Sequence, residues 1–321
     1  MRVRNWRYDT GRATIGRAPV PVVSVGNLTL GGTGKTPFVA WLARWFRDRD
    51  VRVSLISRGY GAEQGSRNDE ARELEQKLPD VPHLQNADRL AAAQVAVEEL
   101  TTQLIILDDA FQHRRIARDL DIVLLDALEP FGFGHVFPRG ALRESAAGLK
   151  RAHVVALSRA NAVDEETKSR IRDRAMQLAP HAVWVELATQ PIGLLNSLGE
   201  RRPLSSVAGQ RLAAFCGIGN PAGFRHTLSQ TTAEITAFRE FPDHHQYTRA
   251  DVNSLAEWAV TARAEQIVCT HKDLVKLAIP QIANLPLWAI EIGISFLAGE
   301  AAIEQTLSPL LARVAANRED D

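Results

Sequence analysis

The segment that most restricts the possible folds of this chain is Gly31-Gly32-Thr33-Gly34-Lys35-Thr36. Residues 20–25 before it form a short, mostly apolar run with β-branched residues, which predicts a buried strand. Residues 37–46 after it have the apolar spacing of a helix. A glycine-rich turn from a strand into a helix, ending in Gly-Lys-Thr, is typical of a phosphate-binding loop. The chain is therefore expected to contain an α/β domain whose first strand leads directly into an anion site.

The chemistry of this loop follows from its glycines and its lysine. Glycines let backbone N–H groups curl around phosphate oxygens, and the dipole of the following helix favours negative charge. Lys35 is expected to bridge the β- and γ-phosphates, and the Thr36 hydroxyl to bind Mg²⁺. The spacing is a variant, because Thr29 stands where the common pattern has its first glycine. The predicted nucleotide-binding residues are Thr29, Leu30, Gly31, Gly32, Thr33, Gly34, Lys35 and Thr36.

The alternation of apolar runs and helical segments continues along the first half of the chain. Residues 88–100 form an Ala-rich helical segment, and the apolar runs around it show little polar alternation. Such runs, separated by helices, are typical of a parallel sheet covered on both faces. The predicted strands lie at residues 20–25, 51–56, 104–107, 122–125, 154–157 and 183–187.

A break in this rhythm divides the chain. Residues 189–211 are rich in proline and glycine and have few periodic apolar positions, which predicts an inter-domain connection. A second α/β pattern follows, with strands predicted at 212–216, 235–238, 267–269 and 287–292 and helices at 221–228, 250–262 and 298–314. The predicted fold is α/β, with a P-loop NTPase-type parallel-sheet domain at 1–188, a connection at 189–211 and a second, smaller α/β domain at 212–321.

Composition excludes several classes of function. Lys+Arg and Asp+Glu are both 38, so there is no overall basic field to attract nucleic acid. Cys216 and Cys269 lie in apolar runs, which predicts buried thiols rather than a disulfide or a metal site. No apolar run approaches the roughly 20 residues of a membrane span, and the polar N-terminus does not resemble a secretory signal. We expect a cytoplasmic protein that rests at most on a membrane surface.

Two carboxylates follow the predicted strand at 104–107. Asp108 and Asp109 would lie at the carboxyl edge of the sheet, where open α/β sheets bind ligands and where an aspartate beside a P-loop holds Mg²⁺. Adjacent strand residues point to opposite faces, so only one is expected to face the metal closely, and the residues leave open which one. A helix cap would explain one aspartate but not both. Asp126, at the end of the next predicted strand, is a weaker metal candidate.

Polar residues continue directly after these carboxylates. Gln112, His113 and Arg114 are candidates for orienting a phosphate or a sugar beside the metal site. For Arg115, a solvated loop charge is an equally good explanation.

Several short motifs occur in a specific order between about Pro21 and Leu277. They are Ser24-Val25-Gly26-Asn27-Leu28 before the loop, Ser57-Arg58-Gly59-Tyr60-Gly61, Asp108-Asp109-Ala110-Phe111-Gln112-His113, residues 137–144, Gly217-Ile218-Gly219-Asn220-Pro221, and Phe241-Pro242-Asp243-His244-His245. Each is weak alone, but the ordered set resembles the tetraacyldisaccharide 4′-kinase (lipid A 4′-kinase) family.

This resemblance implies an ATP- and Mg²⁺-dependent kinase of the cytoplasmic face of the inner membrane. Such a kinase transfers the γ-phosphoryl group to the 4′-hydroxyl of a tetraacyl glucosamine disaccharide 1-phosphate, giving lipid IVA in lipid A biosynthesis. The implied fold is a P-loop kinase-like domain with a smaller α/β domain that closes over the nucleotide. The family's Thr-Glu-Lys-Asp motif is replaced here by Thr270-His271-Lys272-Asp273.

The resemblance also implies residue roles. Lys35 and Thr36 would hold ATP and Mg²⁺, and Asp108 and Asp109 would serve the metal. The family's catalytic base lies in a Gly-Asp-Glu-Pro segment, which corresponds here to Asp69 in Asn68-Asp69-Glu70-Ala71. A histidine matching His244 would assist it, and Arg143 and Glu144 would lie near the phosphates or the acceptor.

From the residues alone, other interpretations of these positions stay open. Asp69 lies in a charged stretch, and the residues alone favour a solvated loop acid at this position. His245 is a rival to His244. The basic and aromatic N-terminal residues, which are Arg2, Arg4, Trp6, Arg7 and Tyr8, fit either an anionic lipid interface or a disordered terminus. Residues 131–137 are unusually aromatic and fit either a lip that contacts acyl chains or a cover for the sheet end.

The alternative function is a P-loop GTPase-type switch or a metallochaperone. Thr270-His271-Lys272-Asp273 after an apolar strand is similar to the Asn-Lys-x-Asp motif that reads guanine, but it lacks the leading asparagine. Preference for ATP or for GTP would separate the two functions.

Overall fold

The structure is a computed structural model that describes residues 2–59, 69–243 and 245–319. Its strands are β1 (Val22–Asn27), β2 (Val53–Ser57), β3 (His83–Gln85), β4 (Leu104–Asp108), β5 (Leu120–Asp126), β6 (Val154–Ser158), β7 (Val183–Leu195), β8 (Arg201–Arg202), β9 (Arg211–Cys216), β10 (Glu234–Glu240), β11 (Gln266–Thr270), β12 (Gln281–Ile282) and β13 (Leu285–Ala298). Its helices are α1 (Arg2–Asp9), α2 (Lys35–Arg47), α3 (Asp69–Lys77), α4 (Arg89–Leu100), α5 (Glu165–Leu178), α6 (Pro221–Ser229), α7 (Arg249–Thr261), α8 (His271–Leu277) and α9 (Glu300–Glu319). The chain forms two compact units, Met1–Ala188 with Ile294–Asp321, and Thr189–Gly293.

The first unit is built on a parallel sheet with the strand order β3-β2-β4-β1-β5-β6-β7. Each neighbouring pair in this order runs parallel. Strands β1, β2, β4, β5 and β6 are buried along their whole length, which explains their continuous apolar sequences. The predicted parallel sheet is confirmed. Because parallel strands end at one edge, the segments after β1, β4, β5 and β6 are brought together there.

Alternate residues of each strand pack against helices on opposite faces of this sheet. On β4, Leu104 and Ile106 lie in the same apolar cluster as residues of α2 and α9. Ile105 and Leu107 lie in the cluster that contains Ala92 of α4. The alternation follows from the two-residue period of a strand, and it holds the sheet between two helical layers.

In the second unit, strands pair in parallel in the order β10-β9-β11-β13. Strand β12 pairs antiparallel with β13, and β8 pairs antiparallel with the last residues of β7. Cys216 and Cys269 are buried free thiols in its core, as expected. Burial raises the pKa of the Cys216 thiol to about 12, so it carries no charge at neutral pH.

The structure divides the chain differently from the sequence pattern in two places. Helix α9 packs Ile303, Leu307 and Val314 into the core of the first unit, although it follows the second unit in the chain. Residues 189–211, which the sequence pattern assigned to a connection, belong to the second unit and contain the end of β7 and all of β8. A periodic apolar pattern shows that a helix is buried but not which sheet it packs against.

Several short elements had no clear sequence signal. Helices α1, α3 and α8 and strand β3 are short, so each offers only a few apolar positions from which a period could be read. Helix α1 shows that the N-terminal residues are ordered rather than a disordered tail. Among the described helices, none is long and apolar enough to span a bilayer.

Candidate active site

The glycine-rich loop connects β1 to α2 and leaves its outer side open. Gly31 and Gly34 have φ values of 98° and 77°, in the left-handed region that disfavours any residue with a side chain. A Cβ atom at Gly31 or Gly32 would meet no other atom within 4 Å. The backbone therefore presents an open cradle immediately before the first turn of α2, where N–H groups lack helical partners.

The start of this loop is held by a second backbone segment. The Leu30 amide donates to the carbonyl of Ala141 at 2.7 Å, and the Arg143 amide donates to the carbonyl of Leu28 at 2.7 Å. Thr29 and Leu142 thus form an isolated antiparallel bridge. The segment places the side chain of Arg143 beside the loop.

Three charged side chains meet at the carboxyl edge of the sheet. Lys35 Nζ lies 3.4 Å from Asp109 Oδ1, and Arg143 Nη1 donates to both Asp109 oxygens at 2.8 and 2.7 Å. Burial alone would raise the pKa of Asp109, but Lys35 and Arg143 outweigh it and lower this pKa to about 2. Asp109 is therefore a carboxylate at any physiological pH, between two cations that phosphate oxygens could also bind.

The two adjacent aspartates have different environments. Asp108 is the last residue of β4 and is 5% exposed, whereas Asp109 has left-handed backbone geometry with φ of 52°. Asp109 is the one in contact with the loop lysine. Within the described residues, no cluster of three or more His, Cys, Asp or Glu side chains could hold a metal on its own. A Mg²⁺ ion held by Thr36 and one of these aspartates would take its other ligands from phosphates and water, as Mg²⁺ usually does at such sites.

Both carboxylate oxygens of Asp126 contact one arginine, Arg159. Its Oδ1 accepts from Arg159 Nε at 2.9 Å, and its Oδ2 also contacts Arg159 Nη2. The same Nη2 donates to the carbonyl of Gly32 in the loop at 3.0 Å. Burial lowers the pKa of Arg159 to about 10, which still leaves it charged at neutral pH. Arg159 had not been identified from the sequence, where its only signal was its place directly after a predicted strand.

Glu144 and Gln112 hydrogen-bond to each other next to the end of β1. Glu144 is 2% exposed and accepts hydrogen bonds from Arg151 at 2.7 Å and from Gln112 at 3.2 Å. Gln112 also donates to the carbonyl of Asn27 at 2.9 Å, at the end of β1. The second oxygen of Glu144 accepts from Asn5 Nδ2 at 2.7 Å. These contacts attach helix α1 to the segment that follows β4.

His113 lies in a basic environment. Burial lowers the pKa of its imidazole to about 4, and Arg89, Arg118 and Arg115 act in the same direction. His113 is therefore neutral at physiological pH. If it contacts a substrate, it does so as a hydrogen-bonding group and not as a cation.

The predicted base and its partner fall partly outside the described structure. Asp69 is the first residue of α3, but its side chain, and the whole of His244, lie outside the part of the chain that the structure describes. His245, the rival candidate, contacts Asp251 at 3.2 Å and stacks on Phe241 with ring centroids 4.8 Å apart. Both roles stay predictions.

Asp273 in the second unit has an internal role. It is fully buried and accepts from the Gly217 amide at 3.2 and 3.1 Å and from the Tyr247 hydroxyl at 2.9 Å. Burial raises its pKa. A carboxylate enclosed in this way cannot hydrogen-bond to a guanine base, so the similarity of residues 270–273 to a guanine-reading motif has no counterpart in the structure.

The aromatic segment at 131–137 forms an ordered loop with exposed apolar side chains. Phe131 is buried under Arg174, whose guanidinium carbon lies 4.5 Å from the ring centroid, whereas Phe133 and Phe137 are 73% and 64% exposed. The Phe137 amide donates to the carbonyl of Leu142 at 2.9 Å, which links this loop to the bridge beside Thr29. Phe133 adopts a left-handed φ of 57°, a costly conformation for a phenylalanine.

The chain is similar to one protein family, to several of its members and to a solved structure. The model of the family described as tetraacyldisaccharide-1-P 4′-kinase matches residues 1–312. A tetraacyldisaccharide 4′-kinase from Anaeromyxobacter sp. (strain Fw109-5) is 38% identical over 323 residues, which cover 95% of this chain and 86% of that protein. One from Syntrophus aciditrophicus (strain SB) is 38% identical over 308 residues, covering 88% and 82%. The crystal structure of LpxK from Aquifex aeolicus in complex with ATP is 28% identical, with a TM-score of 0.72 over 98% of this chain and 94% of that one.

Proposed function

The chain belongs to the tetraacyldisaccharide 4′-kinase family, and we propose that it transfers the γ-phosphoryl group of ATP to the 4′-hydroxyl of a tetraacyl glucosamine disaccharide 1-phosphate. The product would be lipid IVA, an intermediate of lipid A biosynthesis. A GTPase-type switch or a metallochaperone is not favoured, because the family match covers residues 1–312.

The observation that carries this proposal is the contact of Lys35 with Asp109 beside an open glycine-rich loop. A phosphate in the loop would meet N–H groups, the Lys35 ammonium and the helix dipole together. Arg143, 2.7 Å from Asp109, adds a second cation within the same cluster. Phosphoryl transfer depends mainly on positioning and on neutralising phosphate charge, and this cluster supplies both.

Mg²⁺, when bound with ATP, would screen the phosphate oxygens. We propose that the Thr36 hydroxyl and the carboxylates of Asp108 and Asp109 hold it, directly or through water. Asp108 ends β4 and Asp109 lies 3.4 Å from Lys35 beside the phosphate loop, and this placement at the carboxyl edge of the sheet supports the role.

In the proposed reaction the 4′-hydroxyl oxygen bonds to the γ-phosphorus, the bond from that phosphorus to the β–γ bridging oxygen breaks, and ADP leaves. Asp69 would accept the proton of the hydroxyl, because a sugar hydroxyl is a poor nucleophile until its proton has an acceptor. His244 would orient this carboxylate. The position of Asp69 at the start of α3 supports a fixed backbone for the base.

The lipid part of the substrate would meet the aromatic loop. Phe133 and Phe137 expose most of their surface, and exposed apolar groups on an ordered loop are typical of an interaction surface. The loop is bonded to the segment that supports Thr29, so acyl chains here would leave the sugar close to the phosphate loop. We further propose that α1, with exposed Trp6 and Arg7, rests on the cytoplasmic face of the inner membrane.

The decisive experiment is transfer of radiolabel from γ-labelled ATP to the disaccharide 1-phosphate in detergent micelles, with γ-labelled GTP as the control donor. We expect labelled lipid from ATP and little from GTP. Hydrolysis of GTP without labelled lipid would overturn the proposal in favour of the switch protein.

The acyl contact is tested separately by replacing Phe133 and Phe137 with serine. We expect a higher KM for the lipid and an unchanged KM for ATP, because these side chains lie outside the charged cluster. The matched control is Leu198→Ser, since Leu198 is 69% exposed but belongs to the second unit. An equal rise in lipid KM in the control would contradict the acyl contact.

A further inference from the structure

We propose that Arg159, held by Asp126, is a positioning residue that sets the orientation of the peptide between Gly32 and Thr33 in the phosphate loop. The inference rests on the proposed binding of ATP at this loop. It assigns a purpose to a buried ion pair that the transfer mechanism does not otherwise use.

The ion pair is built on two neighbouring strands. Asp126 ends β5, and Arg159 directly follows β6, which pairs with β5 in parallel register through Asp126 and Ser158. Both residues of the pair are 8% exposed. Since Nε and Nη2 of the guanidinium both face Asp126, the planar fork has little freedom to rotate.

This fixed guanidinium reaches the loop through one hydrogen bond. Arg159 Nη2 donates to the Gly32 carbonyl at 3.0 Å. A trans peptide is planar, and its C=O and N–H point in opposite directions. The contact therefore directs the N–H of Thr33 away from Arg159, toward the side of the loop where a phosphate would bind.

Other features of the loop agree with this role. Gly32 is exposed and a Cβ atom there would meet no other atom within 4 Å, so packing around its α-carbon does not hold the carbonyl that Arg159 contacts. The backbone of Arg159 is left-handed, with φ of 54°, which costs a non-glycine residue free energy that its contacts must offset. Among the described residues, the buried Thr33 hydroxyl has no hydrogen-bond partner, as expected for a group whose partner is a ligand.

The chain offers a matched control at the opposite end of β5. Arg118 Nε donates to both oxygens of Asp121 at 3.2 Å, and both side chains are 7% exposed. The other hydrogen bonds of this arginine go to the carbonyls of His113 and Ile116, not to the phosphate loop. Replacing either arginine by glutamine leaves one buried aspartate without its cation, but only Arg159→Gln also releases Gly32.

The test is an equilibrium titration of the full chain with a fluorescent ATP analogue and Mg²⁺, without lipid, together with thermal melts. We expect Arg159→Gln to raise the dissociation constant about tenfold, the usual effect of losing one charge-assisted hydrogen bond that preorganises a site. Arg118→Gln is expected to lower the melting temperature similarly but to change the dissociation constant by less than about twofold, as for a distant independent site. Arg159→Lys should resemble Arg159→Gln, because an ammonium cannot hold both partners in the geometry of the fork.

Equal dissociation constants for Arg159→Gln and Arg118→Gln would overturn the inference and leave the kinase proposal intact. If Arg159→Gln does not fold, Asp126→Asn compared with Asp121→Asn asks the same question, since Asp126→Asn removes the anion that holds Arg159. A wild-type chain that does not bind the ATP analogue would remove both the inference and the proposed function.

Discussion

The two units each contain a glycine turn that leads from a parallel strand into a helix, and the two turns differ in what their amides meet. In the first unit the turn between β1 and α2 opens to solvent at Gly31 and Gly32. In the second unit the turn between β9 and α6 begins at Gly217, whose amide donates to the buried carboxylate of Asp273. A glycine turn before a helix can therefore bind an external anion only where its amides do not already donate to a carboxylate of the protein itself.

The aspartates beside these turns show the same contrast in their electrostatics. Asp109 contacts Lys35 and Arg143, and these cations lower its pKa to about 2 despite burial. Asp273 accepts hydrogen bonds from neutral donors, and burial raises its pKa. Beside the first turn two cations contact one carboxylate, an arrangement that a phosphate could share, whereas the side-chain hydrogen bonds to Asp273 beside the second turn come from hydroxyl groups.

The largest effect that would test this comparison is expected from Lys35→Ala. Removing the ammonium should lower kcat/KM for ATP by about 10²–10³, the typical loss when one group that neutralises transition-state charge is removed. The matched control is Lys168→Ala, because the Lys168 side chain is 10% exposed against 13% for Lys35 but pairs with Glu165 and Glu186 instead. Similar losses in both variants, measured by steady-state kinetics, would mean that the cluster is not an anion site.

A smaller effect is expected when the internal anion of the second turn is removed. Asp273→Ala leaves the Gly217 amide and the Tyr247 hydroxyl buried without an acceptor, which should cost about 3 kcal/mol of unfolding free energy. Asp273→Asn keeps an acceptor oxygen and should cost about 1 kcal/mol or less. Denaturant unfolding measures both values.

The same two variants separate a structural role for Asp273 from a base-reading role. If Asp273 only supports the turn, Asp273→Asn should bind ATP as the wild type does. Loss of nucleotide binding in Asp273→Asn with unchanged stability would contradict the comparison and would revive the GTPase interpretation.

The smallest expected effect concerns His113, which follows β4 close to Asp109 in the chain and is both half-buried and near several arginines. His113 has a folded-state pKa of about 4, below its unfolded value of about 6.5. Between these values the unfolded chain binds more protons, so this group makes stability fall as the pH falls from about 6.5 toward 4. His113→Gln should make the free energy of unfolding less dependent on pH in that window. An unchanged slope would mean that burial and the neighbouring arginines do not lower the pKa of His113 in the folded chain.

How far the sequence predicted the structure depends on the kind of element. Buried strands such as β4 and β5 were located to within a few residues, because a continuous apolar run has few other interpretations. Helix α3 was not predicted, because only a few apolar side chains interrupt its charged sequence. Asp126 was considered as a metal ligand from its strand-end position alone, and its pairing with Arg159 could not be read from residues so far apart in the chain.

The sequence by itself determined that this chain forms a parallel α/β sheet with a phosphate loop after its first strand, and its ordered motifs indicated the kinase family. These features are local, because they depend on apolar periodicity and on short runs of adjacent residues. The tertiary structure decided which carboxylate faces Lys35, which arginine holds Gly32, and that α9 returns to the first unit. Those outcomes depend on strand order, since parallel strands bring distant segments to one edge of the sheet, and only the packed sheet defines which segments become neighbours.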